Sequence, residues 1–385
     1  MKDIIRLKGI TWGHSRGYTP LVACAQRYEE LHPGVSITWH KRTLQEFADF
    51  PIEKLVHDYD LLIIDHPWAG CAAATRCVLP LDEHLPAAYL ADQLQHTVGP
   101  SHESYYYGGH QWALAIDAAT PVASYRADLL KKHGEAVPAD WEALVRLAEK
   151  GRVAAPSIPI DLLMNFYMFC IAQGKAPFAG EAEVIDSATG AAALEMMRTL
   201  WSKLNRKMFG YNPVAVAEVM TETDDYWYCP FAYGYSNYTR KGYARHRLQY
   251  AGPVKLGQHA LRSTLGGTGL AVSAFSPYAA AAVDFLQWVV SPEVQATLYV
   301  AHGGQPGHRA AWENESANSD TNGYFRDTLP ALQNAFVRPR YNGYLYFQDH
   351  AGEPLHHYLQ HGGSEAAVLD KMNTLYRQSL LVPQA

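Results

Sequence analysis

Asp60-Leu61-Leu62-Ile63-Ile64-Asp65 is the stretch of sequence that decides the fold. A short, continuous apolar run bounded by turn signals is typical of a parallel strand buried on both faces. Strands are also predicted at Lys8–Trp12 and Val35–His40. The helix between them is predicted to begin with Thr19 as its N-cap and Pro20 as its first residue. The first 70 residues therefore predict a βαβ unit.

The rest of the chain continues the alternation of helices and short strands. Helices are predicted at Asp140–Lys150, Asp161–Ala172, Gly190–Leu204 and Ser276–Val290, and strands at Trp112–Ile116, Leu248–Gly252 and Leu265–Val272. Residues 313–323 are polar and rich in turn formers, which predicts a crossover or a linker. The alternation predicts an α/β fold with parallel strands. In such folds ligands lie at the carboxyl ends of strands, near helix N-termini.

The composition limits the class of protein. A chain of 385 residues favours two domains, with three as the alternative. Its hydrophobic share of 48 % excludes intrinsic disorder, and its net charge of −6 argues against a general nucleic-acid binder. Only 18 % of residues are charged, although the chain has 25 Tyr, 9 Trp and 18 His. Two interpretations stay open: these rings contact a small polar ligand, or they fill a large core.

The loop after the first strand contains Trp12, His14 and Arg16, and a helix follows it directly. The free N–H groups at a helix N-terminus give a positive local field. Together with Arg16 and His14, this field predicts a site for a carboxylate, sulfate or phosphate group. The alternative is a structural loop in which Arg16 pairs with a local acidic residue.

The loop after the buried strand reads Asp65-His66-Pro67-Trp68. An acceptor at Asp65 and an indole at Trp68 suit a polyol, because the carboxylate accepts hydroxyl protons and the indole stacks on a ring. A catalytic Asp–His pair would need a nucleophile, and the sequence has no G-x-S-x-G motif. We therefore predict ligand contact here, with a structural role as the alternative, and assign no catalytic residue.

Three other motifs are weighed and set aside. The glycines of Gly266–Gly269 precede a strand, whereas a dinucleotide-binding motif opens a helix. His357 and His361 have the i, i+4 spacing of a metal pair, but no third ligand is evident, so no metal is predicted. The basic residues between Arg240 and Arg247 are interpreted as a surface feature, so no nucleic-acid partner is predicted.

The cysteines and the N-terminus bear on the compartment. The chain has five cysteines and no C-x-x-C pair, and we expect all five to be reduced core residues. Cys71 and Cys77 are close enough in sequence to bridge, and their pairing stays open. The N-terminus shows no secretory leader, which is consistent with either a cytosolic chain or a mature secreted form. No apolar run is long enough to span a bilayer.

Four segments, in this order and spacing, carry a family resemblance: Ala25–Val35, Tyr59–Asp65, Ala123–Leu130 and Leu265–Arg309. The last of them is the most specific, with Gly266-Gly267-Thr268-Gly269 at its start. Together they resemble the extracellular solute-binding proteins of ABC importers, in the sugar-binding family that includes the maltose-binding type. The chain departs from the family pattern at Arg126, where Asn is usual.

The resemblance implies an α/β, two-lobed periplasmic-binding-protein fold of type II, the Venus-flytrap fold, with interleaved lobes and a hinge cleft. The N-lobe is expected to comprise residues 1–116 and 265–312, and the C-lobe residues 117–264 and 313–385. It also implies a monomer without cofactor or enzymatic activity, whose partners are a small-molecule ligand and the permease subunits of an ABC transporter. The implied location is periplasmic or extracellular, with the cytoplasm as the alternative because no leader is seen.

The expected ligand-binding residues come from both lobes and the hinge. They are Trp12, His14, Arg16, Asp65, His66 and Trp68 from the N-lobe, Asp117 and Gly267 from the hinge, and Asn165, Tyr167, Tyr233, Tyr235 and Tyr344 from the C-lobe.

The expected function is high-affinity binding of a small polar solute, which is a sugar, a sugar acid or a related carboxylate, and its delivery to the permease. The cationic groups of Arg16 and His14 favour an anion, whereas Trp12 and Trp68 favour a ring. Two alternatives therefore stay open. One is a non-sugar organic anion, including an aromatic one, on the same fold, and the other is a cytosolic ligand sensor or enzyme.

Overall fold

The computed structural model describes residues 4–180 and 183–382, so residues 1–3 of the expected N-lobe lie outside it. The strands are β1 Ile5–Trp12, β2 Val35–Arg42, β3 Leu61–Ile64, β4 Tyr106–Tyr107, β5 His110–Gln111, β6 Leu114–Ala119, β7 Pro121–Tyr125, β8 Tyr228–Tyr233, β9 Gln249–Ala251, β10 Lys255–Leu256, β11 His259–Ala260 and β12 Gly266–Val272.

The helices of the first half are α1 Thr19–Leu31, α2 Leu44–Asp49, α3 Ile52–Leu55, α4 Ala69–Thr75, α5 Ala87–His96, α6 Ala127–Lys132, α7 Trp141–Glu149, α8 Pro159–Ala172 and α9 Ser187–Trp201. Those of the second half are α10 Pro213–Glu222, α11 Ala279–Val289, α12 Pro292–Val294, α13 Arg309–Trp312, α14 Glu315–Asp320, α15 Tyr324–Gln333, α16 Tyr344–His361 and α17 Glu365–Ser379.

The larger sheet has five strands in the order β2-β1-β3-β12-β6. Strands β1, β2 and β3 are parallel, and all four residues of β3 are buried, as the apolar run predicts. The expectation of parallel strands is wrong for β12, which pairs antiparallel with both β3 and β6. Strand β12 can take this direction because no helical crossover connects it to a neighbour in the sheet.

The expectation of parallel strands is also wrong for the second sheet, whose three strands are antiparallel in the order β8-β7-β9. Strand β6 belongs to the large sheet and β7 to the small one, and Thr120 alone separates them. The chain returns to the large sheet only at β12, so each sheet is built from segments distant in sequence. Helices α8, α9, α16 and α17 pack together around the second sheet's core, and separate clusters cover the two faces of the first sheet.

Local sequence signals explain most of the helix boundaries. Asp140 accepts a hydrogen bond from the Ala143 amide at 2.8 Å, so α7 begins directly after it, as predicted. The predicted N-cap of α1 is wrong by one residue. Thr19 is already helical, and the Tyr18 side chain makes no capping bond. Residues 313–323 are not a plain linker, because Asn314 caps the short helix α14 through the amide of Ala317.

The five cysteines are buried and free in the structure, including Cys71 and Cys77. Cys71 instead donates a hydrogen bond to the Glu53 carboxylate at 3.5 Å. Within the described ranges, no helix is both long and apolar enough to cross a bilayer. No cluster of three or more His, Cys, Asp or Glu side chains in those ranges has the arrangement of a metal site.

Candidate ligand-binding cleft

A cavity of about 440 Å³ lies where the two sheets meet. Its wall is formed by the end of β1, the start of β12, the end of β8, the first turns of α8 and α10, and the middle of α16. Helix N-termini and strand ends meet here because the chain crosses from one sheet to the other next to the cavity. The volume lies within the usual range of small-molecule sites.

A buried ion pair between Arg16 and Asp117 supports one side of the cavity. Arg16 Nε donates to Asp117 Oδ2 at 2.9 Å, and its Nη2 donates to the other carboxylate oxygen. The Nη1 group donates to the Gly234 carbonyl at 3.0 Å, and the guanidinium lies over the Tyr235 ring. Burial opposes the charge on Arg16, but the Asp117 carboxylate outweighs it and raises the Arg16 pKa. The guanidinium of Arg16 therefore stays charged, and the Asp117 carboxylate balances its charge within the protein.

A second ion pair joins Asp65, at the end of β3, to Arg338. Arg338 Nη2 lies 2.7 and 2.6 Å from the two Asp65 carboxylate oxygens, and its Nη1 donates to Gln348 Oε1 at 2.7 Å. Burial would raise the Asp65 pKa, but the Arg338 charge dominates and holds it well below its usual range. The pair connects the loop after the first sheet's central strand to the segment before α16.

His14 lies beside the cavity and carries no charge at neutral pH. Its ring packs against the Tyr235 ring, and its Nε2 lies 3.3 Å from the hydroxyl of Tyr243. Burial, followed by the charge of Arg16, lowers the His14 pKa to about 4. His14 therefore adds no positive charge to the cavity at pH 7.

Buried polar atoms without partners surround the cavity. Among the described residues that line it, these atoms are Asp161 Oδ2, Trp12 Nε1, Thr268 Oγ1 and Arg338 Nε. Asp161 lies in the first turn of α8, and burial raises its pKa to about 8. An unsatisfied buried polar atom costs about 1–3 kcal/mol, so a ligand with hydrogen-bonding groups would recover that free energy.

Gly267 makes the close approach of β12 to β6 possible. Its φ is +92°, and a Cβ added there would lie 2.3 Å from the Asp117 carbonyl oxygen.

We expect Gly267→Ala to lower the free energy of unfolding by about 1–3 kcal/mol, because both the backbone conformation and the contact become strained. Urea denaturation checks this, with Gly257→Ala, also at positive φ but in open space, as the control that isolates the contact. Equal losses in the two variants would contradict it.

A family model described as bacterial extracellular solute-binding protein matches residues 23–325. The chain belongs to this family. The resemblance seen in the sequence is therefore confirmed.

The fold matches solved structures of two-lobed sugar-binding proteins. The maltose-bound MalE3 of T. maritima superposes with a TM-score of 0.83 at 17 % identity, covering 97 % of this chain and 100 % of that one. A solute-binding protein of Agrobacterium radiobacter K84 in complex with ribitol gives 0.82 at 19 % identity, covering 98 % and 99 %. One of Thermotoga lettingae bound to α-D-tagatose gives 0.78 at 14 % identity, covering 96 % and 99 %.

The structure brings about half of the expected site residues to the cavity wall. They are Trp12, Arg16, Asp65, Tyr233, Tyr235 and Gly267. Asp117 lies behind Arg16 as its partner, and His14 lies beside the wall. Arg16 is paired with an acid, as in the structural alternative given for its loop, but this acid is 101 positions away and not local as expected.

The other expected residues lie away from the wall. Trp68 and His66 are buried in the short helical turn after β3. Asn165 is buried within α8, and the hydroxyls of Tyr167 and Tyr344 meet at 3.2 Å inside the core. Only the N-terminal turns of α8 face the cavity, so residues further along this helix point into the core.

Sequence reasoning missed several wall residues, chiefly Asp161, Thr268 and Arg338. Asp161 had a signal, because a lone carboxylate in the otherwise apolar helix α8 is rarely buried without a purpose. Arg338 lies in a loop that is evident in the sequence. Its partner Asp65 is 273 positions away, however, so the pair could not be found from spacing.

Proposed function

We propose that this family member binds a sugar or polyol in the cavity and delivers it to the permease of an ABC transporter. Residues 1–116 with 265–312, and 117–264 with 313–385, would form the lobes that close on the ligand. The protein would act as a monomer in the periplasm or outside the cell, and no bond would be broken. The observation that carries the proposal is the set of unpartnered donors and acceptors around the cavity.

A polyol complements these polar atoms because each hydroxyl both donates and accepts hydrogen bonds. Asp161 Oδ2 would accept from one hydroxyl, while Trp12 Nε1 and Arg338 Nε would donate to others. The aromatic side chains of Trp12, Tyr233 and Tyr235 on the same wall offer apolar faces to a sugar ring. The structural neighbours named above were solved with maltose, ribitol and tagatose bound, which supports the same class of ligand.

The ion pairs argue against an organic anion as the ligand. Arg16 and Arg338 each bind a carboxylate of the protein, and His14 is uncharged at pH 7. A ligand carboxylate would therefore have to compete with Asp117 or Asp65 for a guanidinium group. Replacing an existing buried partner gains little, so a neutral polyol is favoured over a uronate or an aromatic acid.

A thermal-shift screen tests the proposal. We expect neutral sugars or polyols to raise the melting temperature, since a ligand at 100 times its Kd stabilises by about 2.7 kcal/mol. Trp12→Phe keeps the ring and removes the indole N–H, so affinity should fall about 2- to 10-fold. Trp39→Phe is the matched control, because Trp39 Nε1 is also buried without a partner but lies outside the cavity wall.

The proposal fails if uronates or aromatic acids alone shift the melting temperature. It also fails if Trp12→Phe binds as tightly as the unmodified protein. Equal losses in Trp12→Phe and Trp39→Phe would show that the effect comes from general destabilisation and not from ligand contact.

A further inference from the structure

Asp161 differs from the other buried carboxylates at the cavity. Asp65 and Asp117 each pair with an arginine, whereas Asp161 Oδ2 has no hydrogen-bond partner in the described structure. The Asp161 residue is only 6 % exposed. Asp161 also lines the cavity wall. A buried, unpartnered carboxylate is costly, and a positively charged partner offsets that cost most effectively.

None of the described residues around Asp161 supplies such a partner. The titratable side chains that its charge influences are Tyr233, Tyr235 and Cys229, which are themselves acids. The apolar residues Ile158 and Met164 adjoin it on the wall, and burial is what shifts its pKa. If Asp161 is ionised, its compensating charge would therefore have to come from the ligand.

The cavity wall as a whole carries more negative than positive groups. Two guanidinium groups, Arg16 and Arg338, face three carboxylates even without Asp161: Asp65, Asp349 and Glu353. A low-dielectric cleft lined by one excess sign of charge attracts ligands of the opposite sign. The wall therefore favours a cation over a neutral molecule, and a neutral molecule over an anion.

We propose that the ligand is an amine-bearing sugar or polyol whose ammonium group pairs with Asp161. The inference rests on the proposed function and specifies its ligand class. The ammonium group donates up to three hydrogen bonds, one of which would go to Asp161 Oδ2. The hydroxyls of the same ligand would contact Trp12 Nε1 and Arg338 Nε. No covalent step is involved.

Isothermal titration calorimetry on the full chain at pH 6 tests the inference with matched probes. The probes are glucosamine, glucose and glucuronate, the galactose counterparts of these three, and the glucosamine disaccharide beside maltose. We expect each amine to bind at least tenfold more tightly than its neutral counterpart, and each uronate to bind more weakly still. Asp161→Asn should weaken amine binding about 10- to 100-fold and change neutral-sugar binding less than threefold.

Proton release gives an independent readout. The raised pKa of Asp161, about 8, means that the empty site is protonated at pH 6. A bound ammonium group stabilises the carboxylate, so close to one proton should leave for each amine ligand bound. Titrations in buffers of different ionisation enthalpy measure this number, and Asp161→Asn should reduce it to zero. The control is Glu142→Gln, which removes an exposed first-turn carboxylate of α7 away from the cavity.

The outcomes separate this inference from the proposed function. Neutral sugars that bind as tightly as the amines, or an amine preference unchanged in Asp161→Asn, would overturn the inference and leave sugar binding intact. Amine binding without proton release would overturn it even if Asp161→Asn failed to fold. If no sugar or polyol of any charge binds, both the inference and the proposed function are wrong.

Discussion

Replacing Arg16 with alanine is expected to lower the free energy of unfolding by about 3–5 kcal/mol, because Asp117 is left buried without its partner. The variant also loses the hydrogen bond from Arg16 to the Gly234 carbonyl, which connects the loop after β1 to the end of β8. Ligand affinity should fall as well, since this contact helps to form the cavity wall. Urea denaturation measures the stability and calorimetry the affinity.

The double variant Arg16→Ala with Asp117→Asn is the control for the stranded charge. Removing the uncompensated carboxylate should recover part of the lost stability, because the largest penalty comes from burying Asp117 alone. An Arg16→Ala protein within about 1 kcal/mol of the unmodified one would contradict the account, since an ion pair this deeply buried cannot be lost at so small a cost. A double variant less stable than the single one would also contradict it.

Replacing Arg338 with methionine is expected to lower the free energy of unfolding by a similar amount, about 3–5 kcal/mol at pH 7. The size of this loss should depend on pH. Arg338 depresses the Asp65 pKa, so this stabilisation is present above the unfolded pKa of about 3.9 and is lost as pH falls through the folded value. In the variant, Asp65 stays buried without the cation and is destabilising when ionised. The melting temperature of the variant should therefore lie furthest below that of the unmodified protein at pH 8, and the difference should narrow towards pH 4.

Arg340→Met is the matched control for Arg338→Met. Arg340 lies two residues along the same loop, but it donates to the backbone carbonyls of Glu103 and Tyr106 and not to a carboxylate. Its replacement should destabilise by an amount that does not vary between pH 4 and pH 8. A constant deficit for Arg338→Met over this range would show that the ion pair with Asp65 does not supply the stability assigned to it.

Local features of the fold were predictable because short-range physics determines them. The apolar run of β3 gave a buried strand, and Asp140 placed the start of α7. Trp12 and Asp65 were found as wall residues, since strand ends meet at one edge of a sheet in α/β folds. The predicted direction of β12 was wrong, because the direction of this strand depends on the route by which the chain re-enters the sheet.

The electrostatic partners could not be predicted, because tertiary topology alone brings them together. Asp117 is 101 positions from Arg16, and Arg338 is 273 positions from Asp65. Without these partners, Arg16 suggested a site for an anion. In the folded protein, Asp117 and Asp65 balance the charges of Arg16 and Arg338. The group at the cavity that has no partner is Asp161, which is buried because α8 begins at the cavity. The aromatic-rich composition is accounted for in part by the wall and in large part by the core.

The most direct test is a crystal structure of the full chain with the sugar that binds most tightly in the screens. The account predicts that this sugar occupies the cavity between the two sheets, with hydrogen bonds to the Asp161 carboxylate and to Trp12 Nε1, and with both arginine ion pairs intact. A sugar bound on the outer surface, or one in the cavity that contacts neither Asp161 nor Trp12, would contradict it.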